Sequence, residues 1–482
     1  MERCTKIVAT IGPASQDEQT LIQLIHAGMN VARLNFSHGS YAEHAARIER
    51  IRRISKDLGR AVTILQDLQG PKIRTGALAK DSIQLVNGQS LSLSTNAVVG
   101  DESLIAVDYP GLPSYVQPGS RILLDDGNLE LVVTSVNPER IDTRVVLGGI
   151  LKAHKGVNLP GAKLDIPGFT KKDEEDLVFG LEQGVDAVAI SFVRSAQDIN
   201  QVRQAISRLS PERNWTPIIA KLERPEALDN LDDIILSADG VMVARGDLGV
   251  EMSPETVPIA QKRIIDRANC HARLVITATQ MLDSMIHNPR PTRAEASDVA
   301  NAIFDGSDAV MLSGETAAGQ YPVESVDMMH AIICQAESNL AEWGHWNGKC
   351  APESNQDDAY FLTLAARELA HDRNVAAIAV FTQSGRTALL MSKTRPQVPI
   401  LAFTPNANTY QRLGLYWGVY PHLVPQADTI EDMLKVVEAA MIASTTIQKG
   451  QQVVVICGFP VRAVRPTNLA LLYTVGETLN KP

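Results

Sequence analysis

The 482-residue sequence has little cysteine, few aromatic residues and no long apolar run. No stretch approaches the about 18 apolar residues that a membrane-spanning helix needs, and the first residues show no signal peptide. The cysteines are odd in number and lack CxxC spacing, so we expect buried free thiols in a reducing compartment: Cys4, Cys270, Cys334, Cys350 and Cys457. These absences predict a cytoplasmic protein with no membrane partner.

Aromatic residues make up 5% of the chain, and the formal net charge is −10. A general nucleic-acid surface needs a basic patch with interleaved aromatic residues, so this composition argues against nucleic-acid partners. A local basic pocket for a phosphorylated ligand is compatible with it. Hydrophobic content of 45% in a chain of this length predicts a globular protein of about three domains.

Eight β-like apolar runs alternate with helical segments in two parts of the chain. They cover residues 5–12, 30–36, 61–68, 187–193, 217–223, 240–248, 274–280 and 309–317. Eight βα units in one domain predict an α/β fold of the TIM (β/α)8 barrel type. An open doubly wound sheet is the structural alternative, but the count of eight and the missing GxGxxG motif disfavour it.

Two further segments interrupt or follow this pattern. Residues 70–167 contain alternating β runs separated by NG, PG and DDG turns, which predicts an inserted small antiparallel β domain or β-barrel. Residues 343–482 alternate helix and strand after an irregular stretch at 342–356, which predicts a C-terminal α/β domain. The barrel domain then comprises residues 1–69 and 168–342.

A lysine and two carboxylates follow neighbouring strands in the central segment PIIAKLERPEALDNLDDIILSADGVMVARGDLGVE. Lys221 and Glu223 are two residues apart at a strand end, so their side chains point the same way. Arg245, Gly246 and Asp247 close the next run. Such a group can hold Mg²⁺, which takes one or two carboxylates, together with an anionic substrate. For a KxE motif alone, a surface ion pair followed by a turn is the alternative.

Polar residues also follow most of the other strands. They are Arg33, Asn35, Ser37 and His38 after the second run, Asp67, Lys72 and Arg74 after the third, Ser191 after the fourth, Thr277 and Thr279 on one face of the seventh, Glu315 after the eighth, and Lys155 in the insert. Each has an ordinary structural explanation, and for Glu315 we expect a structural role. Because parallel barrel strands end on one face, where barrel enzymes carry their chemistry, the aligned set predicts an active site.

Several long motifs carry a resemblance to a known family. They are TKIVATIGPAS, NVARLNFSHG, DLQGPKIRTG, KGVNLPG, VARGDLGVE, TATQMLDSM, PTRAEASDVANAIFDGSDAVMLSGETAAGQYP and TQSGRTA, and together they resemble bacterial pyruvate kinases over essentially the whole chain. The resemblance implies Mg²⁺-dependent phosphoryl transfer from phosphoenolpyruvate to ADP, giving pyruvate and ATP in glycolysis. It also implies a barrel, a lid, a C-terminal effector domain and a homotetramer.

The resemblance assigns roles to the residues at the strand ends. It implies catalytic roles for Lys221, Thr279, Arg33 and Arg74, with Lys221 stabilising the phosphoryl group and Thr279 helping to protonate the enolate. Phosphoenolpyruvate would contact Arg33, Ser191, Lys221, Gly246, Asp247 and Thr279, and the nucleotide would contact Asn35, His38, Arg74 and Lys155. Glu223 and Asp247 would bind Mg²⁺, for which Mn²⁺ is a substitute.

One departure from the family pattern concerns K⁺. The family's K⁺ ligands correspond to Asn35, Ser37, Asp67 and the backbone carbonyl of Leu68. Many members carry glutamate where this chain has Lys72, and they require K⁺. Since a fixed ammonium can replace the charge of K⁺ and would repel a second cation, we expect a K⁺-independent enzyme.

In the C-terminal domain, TQSGRT resembles the family's phosphate-binding effector loop. The residues concerned are Thr382, Ser384, Gly385, Arg386 and Thr387, and the effector would be a sugar phosphate or a nucleotide. A simple strand-to-helix turn is the alternative. For the whole protein, the alternatives are another Mg²⁺-dependent barrel enzyme acting on phosphoenolpyruvate or a keto acid, and a catalytically silent sugar-phosphate sensor.

Overall fold

The structure, a computed structural model, describes residues 3–162, 166–346 and 357–477. Cys350, the predicted irregular stretch beyond residue 346 and residues 163–165 of the predicted insert lie outside these ranges. Within the described ranges, no helix combines the length and the apolar character needed to cross a bilayer.

Eight parallel strands form a closed barrel, which confirms the predicted (β/α)8 fold. Each strand pairs with its neighbours in chain order, and the first pairs with the last: Lys6–Thr10, Met29–Asn35, Thr63–Asp67, Ala187–Ile190, Ile218–Leu222, Gly240–Ala244, Leu274–Ala278 and Ala309–Leu312. The strand ends therefore share one rim, as the prediction of an active site requires.

Two of the predicted strands end at least four residues earlier than expected. The sixth stops at Ala244 and the eighth at Leu312, and the residues that follow form short helices, Arg245–Glu251 and Gly314–Ala317. The prediction that Arg245, Gly246 and Asp247 close a strand is therefore wrong. These residues have left the apolar run, and Asp247 in the first helical turn faces the partial positive charge of the helix N-terminus.

Side chains alternate between the barrel interior and the surrounding helices. Val31, Leu65 and Ile219 pack in the barrel interior, whereas Ala32 and Ala220 lie in the cluster formed with the outer helices. Towards the C-terminal rim, the positions that continue the inward-facing series are polar: Arg33, Asn35, Asp67, Ser191, Lys221 and Glu223. The period of two thus places these side chains around one opening.

The helices of this part of the chain surround the barrel, and capping boxes begin four of the longer ones, of which two serve as examples. Ser40 with Glu43 caps Tyr41–Asp57, and Thr170 with Asp173 caps Lys171–Glu182. The full set is Glu18–Ala27, Tyr41–Asp57, Lys171–Glu182, Ala196–Leu209, Pro225–Asp229, Leu231–Ser237, Arg245–Glu251, Val257–Cys270, Arg293–Phe304, Gly314–Ala317, Pro322–Glu337 and Leu340–Trp343.

Between the third and fourth barrel strands, the chain forms two β-sheets around their own apolar core. One sheet has six strands and the other has two: Ser82–Leu85, Ser90–Ser94, Leu104–Ala106, Arg121–Leu124, Leu129–Asn137, Arg140–Leu147, Gly149–Lys152 and Val157–Asn158. Pairing is antiparallel except between Ser90–Ser94 and Leu104–Ala106, which are parallel. We call this β-rich insert the lid.

A five-stranded sheet organises the C-terminal part. Four strands are parallel and the last is antiparallel: Ile378–Phe381, Ile400–Thr404, Val419–Leu423, Gln452–Cys457 and Leu469–Thr474. The helices are Asp358–Asp372, Arg386–Lys393, Ala407–Leu413 and Ile430–Ser444. This confirms the α/β prediction, although the sequence pattern did not reveal the third and fifth strands. The third contains a proline, and the fifth is a partly exposed edge strand.

A buried ion pair joins the C-terminal part to the barrel. Lys393, at the end of its helix, is 1% exposed; its Nζ donates to Asn269 Oδ1 at 2.8 Å and pairs with Asp308, just before the eighth barrel strand. Burial lowers the pKa of Lys393 to about 8, against the opposing effect of Asp308.

The prediction of free thiols holds for Cys4, Cys334 and Cys457. It is wrong for Cys270, which is disulfide-bonded, because sequence spacing does not show which distant segments meet.

Candidate active site

A polar cavity lies between the C-terminal rim of the barrel and the lid. It is lined by most of the predicted site residues together with residues of the lid: Arg33, Asn35, Ser37, His38, Gln69, Lys72, Arg74, Asp125, Asp126, Ala153, His154, Lys155, Gly156, Ser191, Phe192, Lys221, Glu223 and Asp247. Residues from five barrel strand ends and from the lid thus meet around one space, as the sequence pattern predicted.

Lys221 lies at the centre of the hydrogen-bonding network. Its Nζ is 2.9 Å from Glu223 Oε1 and 3.3 Å from Asp67 Oδ1, and it donates to Ser191 Oγ at 2.7 Å. Ser191 in turn donates to the carbonyl of Leu68 at 2.7 Å. The lysine is therefore held in one orientation by contacts from three neighbouring strands.

Arg33 is fixed on the opposite side of Asp67. Its Nε donates to Asp67 Oδ2 at 2.6 Å, and its Nη1 donates to Thr10 Oγ1 at 2.9 Å. Thr10 ends the first barrel strand, and the sequence reasoning did not select it. A guanidinium held at two of its nitrogens can still present the third to an anion in the cavity.

Opposing effects set the charges of this buried group. Burial alone would lower the pKa of Lys221, but the carboxylates of Asp67 and Glu223 raise it above its usual range. Burial would likewise raise the pKa of Asp67, but Lys221 and Arg33 hold it below its usual value. The ammonium, the guanidinium and the Asp67 carboxylate are therefore all charged at neutral pH.

The negative charge of Glu223 is less well compensated than that of Asp67. It is 1% exposed, and its Oε2 accepts a hydrogen bond at 2.7 Å from the backbone of Phe192, a residue with a φ of 56°. Burial raises the pKa of Glu223; Lys221 opposes that shift, and the nearby carboxylate of Asp247 adds to it. Two carboxylates that disfavour each other's charge suit a divalent cation between them.

These two carboxylates fit a Mg²⁺ ion that receives its other ligands from water and substrate. Throughout residues 3–162, 166–346 and 357–477, no cluster of three or more Cys, His, Asp or Glu side chains is arranged as a metal centre. A resident ion such as structural zinc therefore has no ligand set in the described part of the chain.

The loop after the seventh strand approaches the helix Arg245–Glu251. Thr279 has a φ of 66°, and its Oγ1 accepts a hydrogen bond from the backbone of Gly246 at 2.7 Å. Thr277 instead pairs with Ser307 Oγ at 2.7 Å, inside the barrel wall. The expectation that the two threonines share one face is wrong, because the left-handed backbone at Thr279 redirects its side chain.

Arg245 points away from the cavity. Its Nη1 pairs with Asp298 Oδ2 at 2.5 Å, and its Nη2 donates to the carbonyl of Thr279 at 2.8 Å. It thus supports the Thr279 turn. Glu315 accepts hydrogen bonds from the backbones of Leu282 and Ser313, which is the structural role that the sequence predicted.

On the side of the lid, basic residues face the cavity. Arg74 Nη1 donates to the carbonyl of His154 at 3.1 Å, and Lys155 Nζ is 2.7 Å from Asp125 Oδ1. Burial lowers the pKa of His38, and the positive charges of Arg74 and Lys72 contribute to that shift, so His38 is neutral at pH 7. These groups leave room for a second anionic ligand beside the Lys221 centre.

Three of the four predicted K⁺ ligands already accept hydrogen bonds within the protein: Asn35, Asp67 and the Leu68 carbonyl. Asn35 Oδ1 accepts from the backbone of Ser37 at 3.1 Å, while Asp67 and the Leu68 carbonyl are bonded as described above. Lys72 Nζ is 3.5 Å from Asp126 Oδ1 of the lid and 4.0 Å from Asp247 Oδ1. The ammonium thus lies between the lid and the carboxylate pair.

The predicted effector loop lies outside this cavity, between a strand and the helix Arg386–Lys393. Gly385 has a φ of 85°, and its backbone donates to Thr382 Oγ1 at 3.0 Å. Arg386 pairs with Asp357, and Thr387 Oγ1 is 2.9 Å from Thr467 Oγ1. Thr382, Ser384 and Thr387 line a small pocket together with Arg465.

Five cavity residues of the lid went unselected in the sequence: Asp125, Asp126, Ala153, His154 and Gly156. The DDG motif was recognised only as a turn. Asp125, Asp126 and His154 have φ values of 52°, 55° and 60°, so left-handed turns aim these loops at the barrel. A polar residue of this kind at a tight turn in an insert is a usable signal of a lid contact.

Known proteins resemble both the barrel part and the C-terminal part of this chain. The family profiles "Pyruvate kinase, barrel domain" and "Pyruvate kinase, alpha/beta domain" match residues 2–326 and 362–472. A pyruvate kinase of Geobacillus stearothermophilus is 47% identical over 486 residues, covering 100% of this chain and 82% of that protein. One of Bacillus licheniformis is 46% identical over 488 residues, with 99% and 82% covered. One of Mycobacterium tuberculosis (strain ATCC 25618 / H37Rv) is 42% identical over 480 residues, with 99% of both covered.

Proposed function

The chain belongs to the pyruvate kinase family of phosphotransferases, and we propose that it transfers the phosphoryl group of phosphoenolpyruvate to ADP with Mg²⁺. The observation that carries this proposal is the buried Lys221, held by Asp67, Glu223 and Ser191 beside a pair of carboxylates. Phosphoryl transfer depends on positioning and on neutralising charge, which is what this group supplies.

In this proposal, phosphoenolpyruvate binds at the Lys221 centre. Lys221 and Arg33 contact the phosphoryl oxygens, since both are positively charged and fixed in direction by Asp67. The backbone of Gly246 and the side chain of Thr279 lie beside Asp247, where a substrate carboxylate would be received. Thr279 Oγ1 donates to the carbonyl of Ala278 at 2.7 Å, which fixes the orientation of the hydroxyl group that would help to protonate the enolate.

Glu223 and Asp247 are the residues that would hold Mg²⁺. When bound, Mg²⁺ offsets the charge of the phosphoryl group and joins the substrate to the protein. Burial raises the pKa of Glu223 and the nearby charge of Asp247 adds to that shift, so a cation between the two carboxylates would be stabilising. Lys221 keeps Glu223 oriented while leaving its second oxygen on the backbone of Phe192.

ADP would bind between the lid and the barrel rim. Arg74 and Lys155 supply positive charge for its phosphates, and Asn35 and neutral His38 supply hydrogen-bonding groups. Closure of the lid, residues 70–167, would exclude water, so that the phosphoryl group passes to ADP and is not hydrolysed.

We further propose that the enzyme is independent of K⁺ because Lys72 supplies the cation. Its ammonium already lies within ion-pair distance of Asp126 and Asp247. Replacing it with glutamate would gather three carboxylates around that position and favour a monovalent cation there. We expect Lys72→Glu to require K⁺ for full turnover, whereas the parent enzyme does not.

The matched control is Lys80→Glu, which reverses the charge of an exposed lid lysine that pairs with Glu102 at 3.0 Å, away from the cavity. This variant should stay independent of K⁺. A strict K⁺ requirement of the parent enzyme, measured in sodium-free and lithium-substituted assays, would reject the role of Lys72 and leave the kinase activity standing.

Regulation by a phosphorylated metabolite belongs to the same proposal. The pocket of Thr382, Ser384, Thr387 and Arg465 offers hydroxyl groups and a guanidinium to a phosphate at the start of a helix. The family resemblance supports a homotetramer, which analytical ultracentrifugation would test.

The decisive experiment measures pyruvate formation from phosphoenolpyruvate and ADP with Mg²⁺, with and without K⁺, adding sugar phosphates and AMP in turn. We expect turnover without K⁺. A folded protein with no turnover under any condition would reject the kinase activity and favour a catalytically silent sensor. Binding of a sugar phosphate without turnover would then support the sensor.

A further inference from the structure

The short helix Arg245–Glu251 is contacted by both the catalytic centre and the lid. At its start, the backbone of Gly246 donates to Thr279 Oγ1, and the side chain of Asp247 lies beside Lys72. Seven residues of α-helix are about 10 Å long, so its far end lies well away from the reacting atoms. That far end meets the lid.

The contact at the far end is a buried hydrogen bond. Asn158 Nδ2, on the last strand of the lid, donates to Glu251 Oε1 at 2.8 Å, and the two residues are 7% and 6% exposed. Arg224 Nη2 is 3.8 Å from the same carboxylate oxygen, so the charge of Glu251 is partly balanced. Breaking the bond would leave a buried amide or carboxylate unsatisfied, so the bond opposes separation of the lid from the helix.

A second lid contact lies one residue earlier in the helix. The glycine of the DDG turn, Gly127, passes over Val250: a Cβ built on the glycine would lie 3.8 Å from Val250 Cγ2. The same turn carries Asp126, which is 3.5 Å from Lys72. The lid therefore follows the helix from Asp247 to Glu251.

We propose that Asn158 and Glu251 are positioning residues whose hydrogen bond makes the lid and the helix Arg245–Glu251 move as one body. Because Gly246 and Asp247 begin that helix, a change in lid position changes where the substrate-facing amide and carboxylate lie. The catalytic part of this inference rests on the proposed function; the mechanical coupling does not. Neither residue lines the cavity.

The test compares Asn158→Ala and Glu251→Ala, singly and together, with Ser92→Ala as control. Ser92 is a buried lid residue whose Oγ donates to Asp142 at 2.8 Å, on a strand that three others separate from the strand of Asn158 in the six-stranded sheet. Misplacing a group by about 1 Å can cost 10²-fold, so we expect each Asn158 and Glu251 variant to lower kcat by about 10- to 100-fold, with a smaller change in the KM for phosphoenolpyruvate.

Three features separate positioning from a loss of stability. The double variant should lose no more kcat than either single variant, because both remove the same bond. Glu251→Gln, which keeps an oxygen for Asn158, should recover most of the turnover. Hydrogen exchange at residues 245–251, measured without substrate, should rise in Asn158→Ala and stay unchanged in Ser92→Ala. Asn158→Ser, too short to reach Glu251, serves if the alanine variant does not fold.

The exchange result decides the coupling independently of activity. Equal exchange at residues 245–251 in Asn158→Ala and Ser92→Ala would overturn the inference, as would additive losses of kcat in the double variant. Absence of turnover in the parent enzyme would instead reject the proposed function, and the exchange measurement would still show whether the lid and the helix are tied.

Discussion

Replacing Lys221 with methionine removes an ammonium from between two buried carboxylates, with little change in side-chain volume. The lysine Nζ is 2.9 Å from Glu223 Oε1 and 3.3 Å from Asp67 Oδ1, and both acidic side chains are 1% exposed. Removing one partner of a buried pair costs about 3–5 kcal/mol. We expect the lower end of that range, because Asp67 keeps Arg33 Nε at 2.6 Å.

The effect on turnover should be larger than the effect on stability suggests. Lys221 faces the place where the phosphoryl group would be transferred, and removing one preorganised group of this kind typically costs 10²–10³-fold in kcat. Because the group acts chiefly in the transition state, the KM for phosphoenolpyruvate should change less than kcat. The assay is pyruvate formation at saturating phosphoenolpyruvate and ADP, with urea unfolding of the same preparation.

Lys262→Met is the control for lost stability. Lys262 pairs with Asp305, which is 4% exposed on its side chain and lies outside the cavity. This variant should also lose stability but should keep its turnover. A kcat of Lys221→Met within about fivefold of the parent value, or an equal loss in Lys262→Met, would refute the catalytic role of Lys221.

Two further predictions concern pH. Because burial raises the pKa of Glu223, acidification should protonate Glu223 at a higher pH than an ordinary glutamate and weaken Mg²⁺ binding by up to about tenfold per pH unit below that pKa. Titration calorimetry at several pH values, with Glu223→Gln as the reference, would check this. A Mg²⁺ affinity that depends on pH no more than that of the variant would contradict it. Burial lowers the pKa of Lys393 to about 8 from 10.5, so between these pH values the unfolded chain binds more protons than the folded chain. The free energy of unfolding should therefore rise with pH in this range, by up to about 3 kcal/mol relative to Lys393→Met. Parallel pH dependences of the unfolding free energies of the two proteins would refute this.

Periodicity was enough to predict the residues of the barrel rim. Arg33, Asp67, Ser191 and Lys221 occupy inward-facing positions at the ends of four strands, and a period of two leaves no other direction for their side chains while the strand lasts. Beyond the strand, the prediction failed where the backbone changes direction. Thr279 reaches Gly246 only because its φ is 66°.

Contacts from the lid could not be predicted in the same way. Asp126 meets Lys72 across 54 positions of sequence, and Asn158 meets Glu251 across 93. No local pattern in the chain encodes such distances, and each contact depends on how the lid folds back over the barrel. The disulfide of Cys270 escaped prediction for the same reason.

The charges around the cavity constrain how substrate enters. Five cationic side chains and five carboxylates surround the cavity, if Asp67, which contacts Lys221 just below it, is counted. The cations are Arg33, Lys72, Arg74, Lys155 and Lys221, and the carboxylates are Asp67, Asp125, Asp126, Glu223 and Asp247. With His38 neutral, the formal sum is zero, so no excess positive charge draws in a phosphate alone. An anionic substrate and a divalent cation arriving together disturb this balance less than either does alone. We therefore expect the binding of phosphoenolpyruvate and the binding of Mg²⁺ to strengthen each other.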